Sequence, residues 1–106
     1  MKNGANEVYN LLVPFFRRIE IILPEEGRNQ TKFLLKDISD PKMGKNESDI
    51  NVYIYEEGEK PLIYSFGDRN HLYLSSEFSN LFEFYLELIE YLKLIHGFGN
   101  ERKYKY

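Results

Sequence analysis

The chain of 106 residues contains no cysteine and no tryptophan, and only two histidines. Without cysteine there is no disulfide scaffold, thiolate zinc site, redox motif or cysteine nucleophile. Met1 to Asn10 lacks the apolar core of a signal peptide, and no apolar run is long enough to span a bilayer. The expectation is a cytoplasmic protein that does not enter membranes. At this length a chain buries only about two thirds of its unfolded surface, which supports one domain over residues 1–106 and disfavours an enzyme with a deep enclosed pocket.

A basic stripe for nucleic acid is also missing. Residues 1–46 carry a net charge of +2, residues 47–101 a net −8, and Arg102, Lys103 and Lys105 add +3 in what reads as a frayed tail over 102–106. The tail alternates bases with aromatics, a weak signal on an acidic chain, so no nucleic-acid partner is expected. The partner that suits the carboxylate-rich part is a basic protein. Nine tyrosines and eight phenylalanines supply both core volume and amphipathic surface anchors.

Periodicity predicts an α+β fold: an N-terminal helix, an antiparallel sheet of four to five strands, and a long C-terminal helix packed on one face. Val8, Leu11, Leu12, Phe15, Phe16 and Ile19 fall at helical spacing behind Asn6 as N-cap. Pro14 interrupts them, so the helix either kinks or stops short; the preferred reading carries it to about Arg17, with a strand over Arg18 to Leu23. Strands are expected at Thr31 to Ile38, Ile50 to Tyr55, Leu62 to Phe66 and His71 to Leu74, and a surface loop at Ser39 to Ser48. The expected inner face is Ile50, Val52, Ile54, Leu62, Tyr64, Phe66, Leu72 and Leu74. It meets Leu81, Phe82, Tyr85, Leu88, Ile89 and Leu92 of a helix running from Phe78 to Ile95, capped from Ser75-Ser76-Glu77 and ended by Gly97.

That last helix is more apolar than one buried stripe requires. Glu83, Glu87 and Glu90 lie opposite the expected inward face, with Phe84, Tyr91 and Leu94 among them. Either the first helix or the long loop covers these aromatics, or the six residues form a partner-binding face in which aromatics give contact and acids select a basic partner. The same residues could pair two copies in a homodimer, at the cost of bringing like charges together unless Lys93 or Arg102 intervenes.

Catalytic signals are sparse. Glu25-Glu26 and Glu56-Glu57 sit in turns, where acids are solvated, and no phosphate loop, nucleophile elbow, zincin helix or calcium loop is present. His96 at a helix end is explained by the helix dipole, and neither histidine has a second ligand at metal spacing, so neither metal nor cofactor is expected. The turn Gly67-Asp68-Arg69-Asn70-His71 is the one place where acid, base and imidazole are sequence neighbours. Adjacent strand residues point to opposite faces, so a polar hairpin turn explains it better than a small hydrolase or nuclease site.

From the EEGEKP turn through LIYSF and HLYLS to Ser76, Phe78, Leu81 and Phe82 at the helix entry, the chain resembles the C-terminal half of the SUKH superfamily, which includes cell-wall regulators and bacterial toxin-immunity proteins. Ile22-Leu23-Pro24-Glu25-Glu26 is similar to the family's Leu-Pro after its first helical region. The chain is shorter than typical members and lacks their glycine-rich segment with tryptophan. The resemblance implies a non-enzymatic domain that neutralises a toxin by direct contact.

Overall fold

Alternation along the strands becomes register in the sheet. The structure, a computed structural model, describes residues 3–16, 18–36, 39–40, 44–47 and 50–98, with backbone alone for 39–40 and 44–47. The elements are α1 (Asn3–Leu12), β1 (Arg18–Ile22), β2 (Gln30–Lys36), β3 (Ser39–Asp40), β4 (Gly44–Glu47), β5 (Ile50–Tyr55), β6 (Ile63–Asp68), a 3-10 turn (Arg69–His71), β7 (Tyr73–Leu74) and α2 (Leu81–His96). Five strands form one antiparallel sheet in the order β1-β2-β5-β6-β7, and β3 pairs with β4 separately. The main sheet is therefore a meander with a hairpin inserted between its second and third strands.

Three rows of side chains cross the sheet on its inward face: Thr31, Ile54 and Tyr64; Phe33, Val52 and Phe66; Leu35, Ile50 and Asp68. All nine are buried. Eight supply a packed wall of apolar or nearly apolar surface, and the ninth is a carboxylate. On the helical side, Ala5, Val8 and Leu12 of α1 and Phe84, Leu88 and Leu92 of α2 join the same buried cluster. Tyr9 meets Phe33 edge to face, and Phe84 stacks on Tyr64 with ring centroids 5.5 Å apart.

The α+β architecture, the strand at 18–22 and the C-terminal helix agree with the sequence reading. α1 starts at Asn3, so Asn6 lies inside it rather than capping it, and His71 falls in the 3-10 turn rather than in the last strand; five further particulars differ. First, α1 ends at Leu12, before Pro14, because proline cannot donate the next hydrogen bond and biases Val13 away from helix. Second, the stretch expected as a loop from Ser39 to Ser48 contains β3 and β4. Third, Phe78 is extended: it exchanges two 2.8 Å backbone bonds with Tyr64, so α2 starts at Leu81 with Asn80 as cap, its side chain accepting from the Glu83 amide at 2.9 Å. Fourth, Leu72 and Leu74 are exposed rather than inward, because Leu72 lies in the turn and Leu74 pairs with Gly67, one residue out of phase with the inward row.

Fifth, the buried stripe of α2 is Phe84, Leu88, Leu92 and His96, four residues apart at each step, which leaves Phe82 exposed and Tyr85 only half-buried. Leu88 and Leu92 belong to both the expected face and this one, and the buried stripe reaches further round the helix toward Phe84. Arg17, Ile38 and the tail at 102–106 lie outside the described residues. Among the described residues, no helix is long and apolar enough to cross a membrane.

Candidate site around Asp68, His71 and His96

The inward alternation of β6 runs Tyr64, Phe66, Asp68, so the last residue of the strand sends a carboxylate into the core. Asp68 is fully buried, and its Oδ1 accepts the Asn70 amide at 3.1 Å, capping the 3-10 turn that follows. Leu72 then takes a left-handed conformation (φ 53°, ψ 42°) with its amide on the Arg69 carbonyl at 3.3 Å. This reversal folds His71 back over the strand end, where its Nδ1 lies 2.7 Å from Asp68 Oδ2.

The second approach comes from α2. A buried stripe at four-residue steps places His96 one turn beyond Leu92, level with the end of β6. Gly97, at φ 68°, ends the helix immediately afterwards, and the Phe98 amide caps the Leu92 carbonyl at 3.0 Å while its ring stacks on Phe16 at 5.2 Å. The end of α2 is thereby pinned, and His96 Nε2 meets Asp68 Oδ2 at 2.8 Å. Tyr91 donates its hydroxyl to the same oxygen, also at 2.8 Å.

One carboxylate oxygen thus has three polar neighbours, and the two imidazole rings stand edge to face at 5.2 Å. Tyr73 stacks on Tyr91 at 4.5 Å, and Phe66 packs against both, forming an aromatic wall on one side of the cluster. On the β7 side, a cleft of about 450 Å³ is bounded by Tyr53, Gly67, Asp68, Arg69, Leu72 and Leu74. His71 keeps 22% of its side chain exposed, whereas the side chains of Asp68 and His96 have none.

Burial pushes the Asp68 carboxyl up, but hydrogen bonds from His96 and Tyr91 and the electrostatic pull of His71 and His96 outweigh it. The carboxyl is held below the usual carboxylate range. An ionised aspartate at the centre of two imidazoles can do two things chemically. It can orient His71 through Nδ1, as the acid of an acid–imidazole pair does, or it can join both rings as a metal-ligand set.

The structure separates the expected partner-binding residues into two groups. Glu83, Glu87, Glu90 and Leu94 are exposed on the outer face of α2, and Leu94 is 74% exposed. Phe84 is fully buried against Tyr64, Phe66 and Phe78 and cannot anchor a partner. Tyr91 is half-buried and committed to Asp68 and Tyr73. Both aromatics lie at the edge of the buried arc rather than among the acids, because that arc is centred between Leu88 and Leu92. Burial of Phe84 and the commitment of Tyr91 to Asp68 and Tyr73 also take away two of the three side chains expected in a homodimer contact.

The turn at Gly67 to His71 is more than a polar hairpin, since it carries a buried acid that the C-terminal helix reaches. Spacing along the chain could not show this, because Asp68 and His96 are 28 residues apart. Two signals were present: the alternation Tyr64, Phe66, Asp68, and the four-residue steps Phe84, Leu88, Leu92, His96. Neither the sequence, compared with family models and curated proteins, nor the fold, compared with solved structures, finds a match.

Proposed function

We propose that the chain is a non-enzymatic protein-binding module that presents the outer face of α2 to a basic protein, with toxin neutralisation as its concrete form. The observation that carries this reading is the exposure of Leu86 and Leu94 on the same side of the helix as Glu83, Glu87 and Glu90. Apolar side chains surrounded by carboxylates give contact area with selection for positive charge. The net −8 over residues 47–101 adds long-range attraction for such a partner. The SUKH-like segment supports the same class of function, since it implies binding without catalysis.

The test is binding to the product of a neighbouring open reading frame that ends in a basic domain. Replacing Glu83, Glu87 and Glu90 together with glutamine is expected to slow association and flatten its dependence on salt. Leu94→Ala and Leu86→Ala are expected to speed dissociation, each by about 5- to 30-fold, equivalent to about 1–2 kcal/mol. Absence of binding, or binding that none of these changes alters, removes the reading.

A second reading rests on the 2.7 Å contact between Asp68 and His71, which gives a small hydrolase or nuclease its oriented base. Turnover of nucleic acids and esters by the wild type, abolished in His71→Ala, is the result that would establish it in place of the first.

A further inference from the structure

The crowding around Asp68 Oδ2 is greater than a hydrogen-bonded lock requires. A carboxylate oxygen has two lone pairs, and here Nδ1 of His71, Nε2 of His96 and Oη of Tyr91 all lie within 2.8 Å of it. Three potential ligand atoms, one each from Asp68, His71 and His96, lie within 4.8 Å of one another. They come from a strand end, a 3-10 turn and the last turn of a helix, and they use both histidines of the chain.

We propose that Asp68, His71 and His96 form a binding site for a divalent transition-metal ion of the zinc type. Two imidazole nitrogens and one carboxylate oxygen are borderline ligands, which favours zinc, cobalt, nickel or copper over magnesium and calcium. Ligand atoms around tetrahedral zinc stand about 3.3 Å apart, given metal–ligand bonds of about 2.0–2.1 Å. The separations of 2.7 and 2.8 Å from the carboxylate need to open by roughly half an ångström, and the two imidazole nitrogens, within 4.8 Å of each other, need to settle at about 3.3 Å, movements within the reach of side-chain rotation. Each imidazole then presents a lone pair where it now faces the carboxylate, with its proton on the other ring nitrogen.

The surroundings suit such an ion. His71 is partly exposed and gives an entry path, while Asp68 and His96 form the dry floor. Tyr91, on the carboxylate and stacked on Tyr73, fixes the orientation of Asp68. Three protein ligands leave a fourth position for water or an anion, as in zinc sites that are not purely structural. The turn that aims His71 inward closes through the left-handed Leu72, a conformation that costs a non-glycine residue energy and here serves to bring an imidazole onto a buried acid.

Untagged protein titrated with cobalt(II) gives a direct readout, because the chain has no thiolate and only these two histidines. The expected result is one equivalent bound with visible d–d absorption, displaced by zinc, and a rise in thermal midpoint with zinc. His71→Ala, on the exposed side of the cluster, is expected to stay folded and to weaken binding by at least about tenfold; His96→Gln is expected to do the same where it folds. In the wild type, both imidazoles are expected to change their nitrogen resonances on addition of zinc. No cobalt spectrum at millimolar metal would show the cluster to be a hydrogen-bonded lock and overturn the proposal. A spectrum that survives in His71→Ala would place the ion elsewhere and overturn it as well.

Discussion

Asp68 and His96, 28 residues apart, meet at 2.8 Å between Oδ2 and Nε2, each with no exposed side-chain surface. Each is the polar end of an otherwise apolar row: Tyr64 and Phe66 precede Asp68 on β6, and Phe84, Leu88 and Leu92 precede His96 on α2. The two rows face each other through the core and end at the same edge, so each buried polar group supplies the partner the other needs. The contact ties the last turn of α2 to the end of β6.

Removing either member leaves the other buried with fewer partners, which costs more than the hydrogen bond itself. Asp68→Ala and His96→Ala are each expected to lower unfolding free energy by about 2–4 kcal/mol in urea titrations. In the double variant the losses are expected to fall short of additivity by about 1–3 kcal/mol. Additive losses would mean that the two side chains do not support each other.

Phe84 offers the sharpest contrast between sequence reading and structure. Its ring fills the centre of an aromatic group with Tyr64, Phe66 and Phe78, so Phe84→Ala is expected to cost about 3–5 kcal/mol of stability through the cavity it leaves. At temperatures where the variant remains folded, its association with a basic partner is expected to match the wild type, whereas Leu94→Ala alters binding with little loss of stability. An unchanged unfolding midpoint for Phe84→Ala would contradict this placement.

The same residue explains why the architecture was legible and the site was not. Strand alternation at Ile50 to Tyr55 needs no partner to be read, since neighbouring side chains must point to opposite faces. On α2, apolar residues cover more than half the circumference, and several arcs fit an amphipathic helix about equally well. The arc of Leu81, Tyr85, Leu88 and Leu92 has nearly the same centre as the buried stripe of Phe84, Leu88, Leu92 and His96 but is narrower, so Phe84 and His96 fall just beyond its two edges and Tyr91 lies beside Phe84. The link between Asp68 and His96 depends on where the end of α2 falls against β6, which is a tertiary fact. The short strands at 39–40 and 44–47 were hidden for another reason: proline, glycine and polar residues there give no alternation to detect.

Tyr64 provides a dependence on pH. Burial raises its phenol above the ordinary value of 10.0, with Glu7 and Glu56 adding to the rise. The fold therefore favours the protonated phenol, and this contribution to stability is complete below pH 10.0 and is lost as the pH rises through the higher folded value. Tyr64→Phe keeps the ring stacked on Phe84 and removes the titration, so its stability is expected to decline less steeply above that pH. Parallel alkaline limbs in urea titrations of the two proteins would refute the assignment.

Leu72 is 92% exposed and holds φ at 53°, so its side chain gains little from packing while its backbone carries the left-handed penalty. Glycine adopts that conformation without a Cβ clash, although it adds about 0.4–1 kcal/mol of entropy to the unfolded chain. The penalty is about 1–2 kcal/mol, so Leu72→Gly is expected to gain roughly 0.5–1 kcal/mol, about 2–8 °C in thermal midpoint for a domain this size. Leu72→Val places a branched Cβ in the same region and is expected to lose at least about 1 kcal/mol. The turn is held by the Leu72 amide on Arg69 and the Asn70 amide on Asp68, both of them backbone donors that glycine retains. His71 should therefore stay on Asp68 in the glycine variant, with its imidazole resonances unchanged, and a shift of those resonances together with a fall in midpoint would show that the leucine side chain itself holds the turn.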